Sequence, residues 1–337
     1  MSVVGLDIGS SSIKVAKIVK DSNRFRLAAL GKVSTPRPGL LSESPQDHEA
    51  VAEAVKKLFD DVGIRDKRQV VVALPEGKIA SRVIKLPLMS DKELASSLQY
   101  EADAFVPFSL DDAILRHQVI ERNEKDGILE VLLIASPKIL VNKYLRILEL
   151  AKVTPLALET ELMALNRALI DPNQPNTMVV DFGFKNCNFA ISRKEQIYLT
   201  RSFPVAGEAL TRALSDELGI DISQAEEYKK AYGLSDQVLE GKVRQSIISL
   251  IKSVSVEMKK AIQYFEQEKK ETVDLIVLGG GSAGLPNVIQ DIAANLRTEV
   301  QLANPLSLLE YDQSVFAQFE DEAPVFSVAI GLAKRQF

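Results

Sequence analysis

The chain begins with a stretch that decides its fold, Leu6-Asp7-Ile8-Gly9-Ser10-Ser11-Ser12-Ile13-Lys14. An apolar strand runs to Ile8, a small polar turn follows, and apolar and polar residues then alternate, which predicts a hairpin. The N–H groups and hydroxyls of such a turn suit a phosphate group. The candidate phosphate-facing residues are Ser10, Ser11, Ser12 and Lys14. Asp7, at the strand end, suits Mg²⁺ held through water, because Mg²⁺ favours carboxylates and retained waters beside phosphates.

The same pattern returns near the middle of the chain. Met178-Val179-Val180-Asp181-Phe182-Gly183 repeats the order of apolar strand, acid, bulky residue and glycine, and Asn188-Phe189-Ala190-Ile191 is the returning strand. Self-similarity at so long an interval indicates duplicated domains. A chain of 337 residues is long enough for two.

A third motif, Gly279-Gly280-Gly281-Ser282-Ala283-Gly284, follows a strand candidate at 272–278. It satisfies the G-x-G-x-x-G dinucleotide fingerprint, but that fingerprint normally opens a domain and precedes further βα units. Only 53 residues remain after Gly284 (337 − 284), so we expect these glycines to let the backbone approach an adenosine or its phosphates. A protein-kinase reading of Asp181-Phe182-Gly183 fails, since no His-Arg-Asp catalytic loop precedes it.

The segments between these motifs divide the chain into three parts. We expect a first lobe from residues 1–81 and 154–177, with a helix over 47–62 and a strand over 69–74. Residues 82–153 read as β-α-β-β-α and predict an inserted subdomain with a small sheet and helices on one face. The second lobe covers 178–337, with a mostly helical part over about 208–270.

Composition excludes several classes of protein. The net charge of −5 and the pI near 5.4 argue against a general nucleic-acid binder. Cys187 is the single cysteine, and His48 and His117 stand alone, which excludes a disulfide framework and the common zinc sites. No basic leader precedes an apolar core, and no apolar run approaches ~20 residues. We therefore expect a cytoplasmic protein without direct membrane insertion, recruited to the inner face of the membrane by a partner.

Taken together, the motifs resemble those of the actin, heat-shock chaperone and sugar-kinase superfamily. Residues 6–14 and 180–191 resemble its two phosphate motifs, and 276–282 its adenosine motif. The segments 161–168 and 328–333 resemble its connecting helices. This resemblance implies an α/β fold of actin-like, ribonuclease H-like duplicated type, with two lobes, an inserted small α/β subdomain, and ATP with Mg²⁺ in the cleft.

Within that superfamily the chain resembles the PilM family, actin-like cytoplasmic proteins of type IV pilus assembly. The resemblance rests on Leu86-Pro87, on the segment from Tyr100 to Phe108, on Glu159-Thr160-Glu161, and on Ala206-Gly207 with Thr211. It implies an ATP-binding adaptor for pilus biogenesis and twitching motility, which binds the N-terminal cytoplasmic tail of a PilN-like inner-membrane protein. The tail would lie between the first lobe and residues 82–153. Other pilus platform or motor components and self-association are further partners left open.

The resemblance also implies residue roles. Asp7 and Asp181 resemble the carboxylates around Mg²⁺. The cofactor-binding set adds Gly9, Ser10, Ser11, Ser12, Lys14, Gly183, Lys185, Asn186, Gly207, Glu226, Lys229, Gly279, Gly280, Gly281, Ser282 and Leu285. Glu226 and Lys229 lie one helical turn apart, a spacing that places both on one face. They resemble the pair that contacts ribose and adenine, although an exposed ion pair on a helix would show the same spacing.

The second phosphate turn departs from the superfamily pattern. Phe184 stands where many relatives have glycine, and Lys185-Asn186 replaces small hydroxyl residues. A bulky residue restricts the positive-φ conformations that glycine permits, so the departure bears on hydrolysis more than on binding. Glu161 is the candidate for orienting the attacking water, with Glu159 in reserve.

Three function classes stay open. The first is an adaptor of a pilus or type II secretion machine, in which ATP hydrolysis is weak or partner-dependent. The second is a metabolic kinase of the same superfamily, which needs an Asp general base near the transferred phosphate. The third is an FtsA-like cell-division protein, a type that ends in an amphipathic membrane-targeting helix. This sequence stops directly after the connecting motif, which favours the adaptor.

Overall fold

The computed structural model of the chain describes residues 2–21 and 24–336. The strands in chain order are β1 (Ser2–Ile8), β2 (Ser12–Asp21), β3 (Arg24–Ser34), β4 (Val70–Leu74), β5 (Ala80–Pro87), β6 (Ala113–Asn123), β7 (Ile128–Pro137), β8 (Pro155–Thr160), β9 (Thr177–Phe182), β10 (Cys187–Arg193), β11 (Gln196–Phe203), β12 (Leu275–Gly279) and β13 (Glu299–Leu302). The α-helices are α1 (Pro45–Asp61), α2 (Asp91–Asp103), α3 (Lys138–Leu150), α4 (Glu161–Leu169), α5 (Gly207–Leu218), α6 (Ile222–Tyr232), α7 (Lys242–Lys269), α8 (Val288–Leu296), α9 (Gln313–Phe316) and α10 (Ser327–Ala333).

Two five-stranded sheets repeat one topology. The first has the order β3-β2-β1-β4-β8 and the second the order β11-β10-β9-β12-β13. In each, the first three strands along the chain are antiparallel, and two further strands add in parallel. The duplication predicted from the repeated motif is therefore confirmed.

The core of the first lobe follows from its apolar pattern. The β4 sequence Val-Val-Val-Ala-Leu is buried along its whole length, as a central strand covered on both faces requires. Helix α1 begins with a proline in its first turn and packs on the sheet through Val51, Val55, Leu58 and Phe59. The predicted helix over 47–62 is thus present, shifted by two residues at its start.

The segment 82–153 forms a three-stranded sheet in the order β5-β7-β6. Helix α2 covers one face of it through Leu94 and Leu98, after a capping box between Ser90 and Glu93. Helix α3 instead packs in the core of the first lobe, where Tyr144 and Ile147 belong to the same apolar cluster as the buried side chains of α1. The structure therefore places only the first of the two predicted helices on the small sheet.

The helical part of the second lobe contains α5, α6 and α7, which span the stretch predicted to be helical over 208–270. Helix α7 buries a stripe of apolar residues at helical spacing, including Ile247, Ile251, Val254 and Met258, against the second sheet. Within residues 2–21 and 24–336 no helix is long and apolar enough to cross a membrane.

Two helices join the lobes. Helix α10 lies at the end of the chain, yet it packs on the β1–β2 face of the first sheet and crosses α4. A Cβ on Gly331 would lie 1.8 Å from the carbonyl oxygen of Ala164, so the crossing requires glycine there. The connecting helices predicted over 161–168 and 328–333 therefore meet between the lobes.

Candidate functional site

A cleft of about 780 Å³ opens between the lobes, and the three sequence motifs meet in it. The predicted residues that line the cleft are Asp7, Gly9, Ser10, Ser11, Ser12, Lys14, Glu161, Asp181, Gly183, Lys185, Asn186, Gly207, Glu226, Lys229, Gly280, Gly281, Ser282 and Leu285. Gly279 alone of the predicted binding residues lies beneath the lining. It ends β12, pairs with Asp181 of the neighbouring strand, and would bring a Cβ within 3.3 Å of the Ser327 hydroxyl.

The two phosphate turns have the same backbone geometry. The Gly9 N–H donates to the Ser12 carbonyl at 3.1 Å, and the Gly183 N–H donates to the Asn186 carbonyl at the same distance. Phe184 is absent from the residues with positive φ, so the second turn closes without the conformation that glycine alone adopts easily. The expected restriction at this position therefore does not arise, and both turns face the cleft with their backbone.

Asp7 and Lys14 are held together by strand register. They are partners across the antiparallel pair of β1 and β2, and the Lys14 amino group lies 3.0 Å from Asp7 Oδ2. Burial disfavours the charge on Lys14, but the nearby carboxylates, Asp7 first, outweigh it and raise the pKa of Lys14. Lys14 therefore stays protonated at the floor of the cleft, where an anionic ligand would meet a fixed positive charge.

Three carboxylates converge beside that lysine. Burial raises the pKa of Asp181 to about 6, Lys14 opposes that shift, and Asp7 adds to it. Burial, then the charges of Asp181 and Asp7, raise the pKa of Glu161 well above its ordinary value. Glu161 begins α4, and its Oε2 accepts from the Glu76 N–H and from the Asn188 side-chain amide, each at 3.0 Å. The cluster is short of positive charge, which a cation would supply.

The donor set fits Mg²⁺ bound together with phosphate oxygens. Among the described residues no group of three or more His, Cys, Asp or Glu side chains is arranged to hold a metal ion by itself. Mg²⁺ is usually bound by one or two carboxylates plus waters and substrate phosphates. Asp7 and Asp181, near the ends of β1 and β9 and both lining the cleft from facing lobes, match that need.

The triple-glycine loop approaches the second turn closely. Gly280 has φ +85°, and a Cβ there would lie 2.4 Å from Asp181 Oδ1, so this position requires glycine. The Ser282 hydroxyl donates to the Gly183 carbonyl at 3.0 Å, and the Gly280 N–H donates to the Pro324 carbonyl at 3.0 Å. These bonds fix the loop against one wall of the cleft.

Glu226 and Lys229 form a network rather than an exposed ion pair. Lys229 is 3% exposed, and its amino group lies 2.6 Å from Glu226 Oε2. It also donates to the Gly207 carbonyl at 3.0 Å and to the Thr211 hydroxyl at 2.8 Å. Burial lowers the pKa of Lys229, although Glu226 opposes that shift. The pair therefore anchors the first turn of α5, whose N-terminus points into the cleft.

Glu159 does not belong to the cleft, so the reserve role given to it is wrong. Its carboxylate accepts two bonds from Arg167, at 2.7 and 2.9 Å, and one from Arg335 at 2.8 Å. Glu159 lies on β8, two residues before Glu161, and its carboxylate is held by two arginines in a separate cavity near the connecting helices.

Several residues that line the cleft or support it lie outside the predicted binding set. Asn188 reaches Glu161 from the second lobe, Lys32 lies on β3, and Glu322 precedes α10. Thr211 carries a weak signal, since it lies four residues after Gly207 and its hydroxyl donates back to the Gly207 carbonyl at 2.8 Å. The others depend on pairing between distant segments, which no local pattern records.

Comparison with known proteins identifies a matching family and a relative of this chain. Residues 5–337 match the protein family described as type IV pilus assembly protein PilM. The cell division protein FtsA of Bacillus subtilis strain 168 is 23% identical over 351 aligned positions, which cover 90% of this chain and 78% of that protein.

Solved structures show the same fold. A structure described as the PilM-PilN type IV pilus biogenesis complex has a TM-score of 0.86 at 24% identity, covering 98% of this chain and 97% of that chain. MreB 5 of Spiroplasma citri bound to AMPPNP has a TM-score of 0.54 at 13% identity, covering 98% of this chain and 94% of that one. The fold is thus actin-like, as the resemblance implied.

Proposed function

Since this chain belongs to the PilM family of type IV pilus assembly proteins, we propose that it is a cytoplasmic, ATP-binding adaptor of the pilus assembly complex. In this role MgATP occupies the interlobe cleft, and a separate surface holds the tail of a membrane protein. The family match favours this role over the cell-division and metabolic-kinase alternatives.

One observation carries the ATP proposal: two phosphate turns with the same closing hydrogen bond face each other across a cleft that the triple-glycine loop also lines. A protein of the same fold has been solved with AMPPNP, which supports a nucleoside triphosphate as the ligand. Phosphates would bind the backbone of both turns and the Lys14 amino group. The adenosine would lie beside Gly281, Leu285 and Glu226.

Mg²⁺ would neutralise phosphate charge between Asp7 and Asp181. Its presence would also oppose the burial and the repulsion between carboxylates that together raise the pKa values of Asp181 and Glu161. Glu161 lies at the start of α4 within this cluster, where its carboxylate can hold a water by hydrogen bonding. We propose that hydrolysis is weak or dependent on the partner, since Lys185 and Asn186 stand in place of the small hydroxyl residues of the superfamily pattern.

The partner in this proposal is the N-terminal cytoplasmic tail of a PilN-like inner-membrane protein, which recruits the adaptor to the membrane. Support comes from the family match and from the PilM-PilN complex, a solved structure of the same fold. The helices of the segment 82–153 expose apolar side chains, with Tyr100 of α2 81% and Ile139 of α3 71% exposed. These exposed apolar side chains support contact with an apolar part of the tail.

A short hydrogen-bond path links the cleft to the inserted sheet. Glu161 accepts from the Glu76 N–H, and the Glu76 carboxyl accepts from the Ser81 hydroxyl at 3.1 Å. Ser81 lies on β5 and shares a hydrogen bond of 2.8 Å with Thr200 of the second lobe. A ligand that shifts Glu161 therefore acts only two hydrogen bonds away from β5 of the inserted sheet. Coupling also requires that the tail bind the arrangements with and without the ligand with different affinity.

Calorimetric titration with MgATP tests the site. Asp7→Ala removes the partner of Lys14 and one Mg²⁺ carboxylate, so we expect affinity to fall roughly tenfold or more. Asp61→Ala, at the exposed end of α1, is the matched control and should bind as the wild type does. Equal affinity in all three proteins would contradict the assignment of the cleft.

Phosphate release from saturating MgATP tests whether the protein hydrolyses ATP without its partner. The adaptor proposal expects negligible release without the tail peptide, or release that needs both the peptide and Asp7. Brisk release without a partner, or release stimulated by a small acceptor such as a sugar, would support a kinase instead.

A further inference from the structure

The register of β1, β2 and β3 places one further charged residue, Lys32, beside Asp7 and Lys14 in the cleft. The sequence motifs do not include it. Asp7 is the register partner of Lys14 across β1 and β2, and Lys14 is the partner of Lys32 across β2 and β3. Directly opposed residues of antiparallel strands have Cβ atoms roughly 4.5–5.5 Å apart on the same face. Lys32 is therefore next in line after Lys14, and it lines the cleft.

The next row of register partners shows on which face of the first sheet Asp7, Lys14 and Lys32 lie. Two residues along each strand, Gly5, Ala16 and Leu30 are partners in the same register. Ala16 and Leu30 pack in the cluster that contains α10, and Gly5 lies against the α10 backbone. The row Asp7–Lys14–Lys32 is thus the first polar row beyond α10, at the end where Ser327 opens the helix and the cleft begins.

Lys32 has a replaceable partner in this structure. Its amino group lies 2.6 Å from Glu322 Oε2, and the two side chains are 36% and 47% exposed. Ion pairs this exposed contribute little to stability, so exchanging the partner costs little. Glu322 precedes Pro324, whose carbonyl accepts from the Gly280 N–H of the triple-glycine loop. The Lys32–Glu322 pair therefore joins the first sheet to the loop that borders the cleft.

We propose that Lys32 is a second phosphate-binding cation, which exchanges the Glu322 carboxylate for the phosphate chain of the bound nucleotide. This inference rests on the proposed function, since it assumes a nucleotide polyphosphate in the cleft. The Glu322 carboxylate and a phosphate oxygen are both anionic acceptors for an ammonium group, so Lys32 can exchange one for the other. Glu322, once released, becomes an unpaired carboxylate at the mouth of the cleft.

Three variants separate this role from a latch that merely ties the loop to the sheet. Lys32→Met removes the cation, Glu322→Gln removes its competitor, and Lys56→Met is a control that breaks an exposed ion pair with Glu53 far from the cleft. Each is titrated calorimetrically with MgATP, MgADP and adenosine. Thermal unfolding without nucleotide reports whether each variant is folded.

A phosphate-binding role predicts effects of opposite sign. Lys32→Met should weaken MgATP and MgADP roughly tenfold, which corresponds to 1.4 kcal/mol, and leave adenosine unchanged. Glu322→Gln should tighten MgATP or leave it within twofold, and Lys56→Met should match the wild type. Equal weakening by Lys32→Met and Glu322→Gln would show a latch and overturn the inference, as would unchanged binding in Lys32→Met. Failure of the wild type itself to bind MgATP would instead overturn the proposed function.

Discussion

Replacement of Glu76 by glutamine should change how stability depends on pH. Glu76 follows β4, is 3% exposed, and has a carboxyl Oε2 without a hydrogen-bond partner among the described residues. Burial raises the pKa of this carboxyl from its ordinary 4.5 to about 7, and the Ser81 hydroxyl only partly opposes the shift. The folded protein therefore holds the Glu76 proton over a range in which the unfolded chain has released it.

The sign and size follow from proton linkage. Between pH 4.5 and 7 the native state binds the proton and the unfolded state does not, so the free energy of unfolding falls as pH rises and levels off above 7. The shift from 4.5 to about 7, at 1.36 kcal/mol for each pH unit, amounts to roughly 3 kcal/mol. Glu76→Gln has no proton to release, so this loss should be absent from it.

The assay is urea unfolding followed by far-UV circular dichroism, since the chain contains no tryptophan. Wild type and Glu76→Gln are compared at several values between pH 5 and 8, without nucleotide. Asp181 titrates in the same range, but it is present in both proteins, so its contribution cancels in the difference between them. We expect wild type to lose about 2–3 kcal/mol more than the variant over this range. Parallel pH profiles would refute the reasoning.

Two further predictions concern the walls of the cleft and its surroundings. Gly280→Ala forces a Cβ to within 2.4 Å of Asp181 Oδ1 at φ +85°, so it should cost about 1–3 kcal/mol of stability and lower MgATP affinity. Gly284→Ala, where a Cβ meets nothing within 4 Å, should keep the stability of the wild type; thermal unfolding compares the two variants, and calorimetry measures the MgATP affinity of Gly280→Ala. Glu159→Gln removes the carboxylate charge that Arg167 and Arg335 contact and should destabilise the fold by about 1–3 kcal/mol while MgATP affinity stays unchanged. The control variant Glu53→Gln breaks an exposed ion pair with Lys56 and should cost less than about 1 kcal/mol of stability. Weakened MgATP binding in Glu159→Gln would show that Glu159 takes part in the nucleotide site.

Much of the fold was predictable because its signals are local. The strand-turn-strand pattern around Asp7 and again around Asp181 predicts both hairpins from a few residues each. The duplication then predicts that the two sheets share one strand order. The triple glycine was predictable for the same reason, since Gly280 needs a backbone conformation that other residues rarely adopt.

Other parts of the site depend on contacts between distant segments. Lys32 reaches the cleft only because β3 adds beside β2 in one register, and β3 was not predicted. The side on which Glu159 lies follows from its place on β8, a strand whose pairing with β4 the sequence does not state. The burial of Glu76 depends on Ser81 and Thr200, which three different segments bring together.

The central claim, that the nucleotide in the cleft controls a tail-binding surface, is tested most directly by one affinity. A labelled peptide of the N-terminal cytoplasmic tail of the PilN-like protein from the same organism is titrated by fluorescence anisotropy, without nucleotide and with saturating MgATP. We expect the affinity to differ at least severalfold between the two conditions and Asp7→Ala to abolish the difference. Tail affinity that is equal with and without MgATP would contradict the coupling.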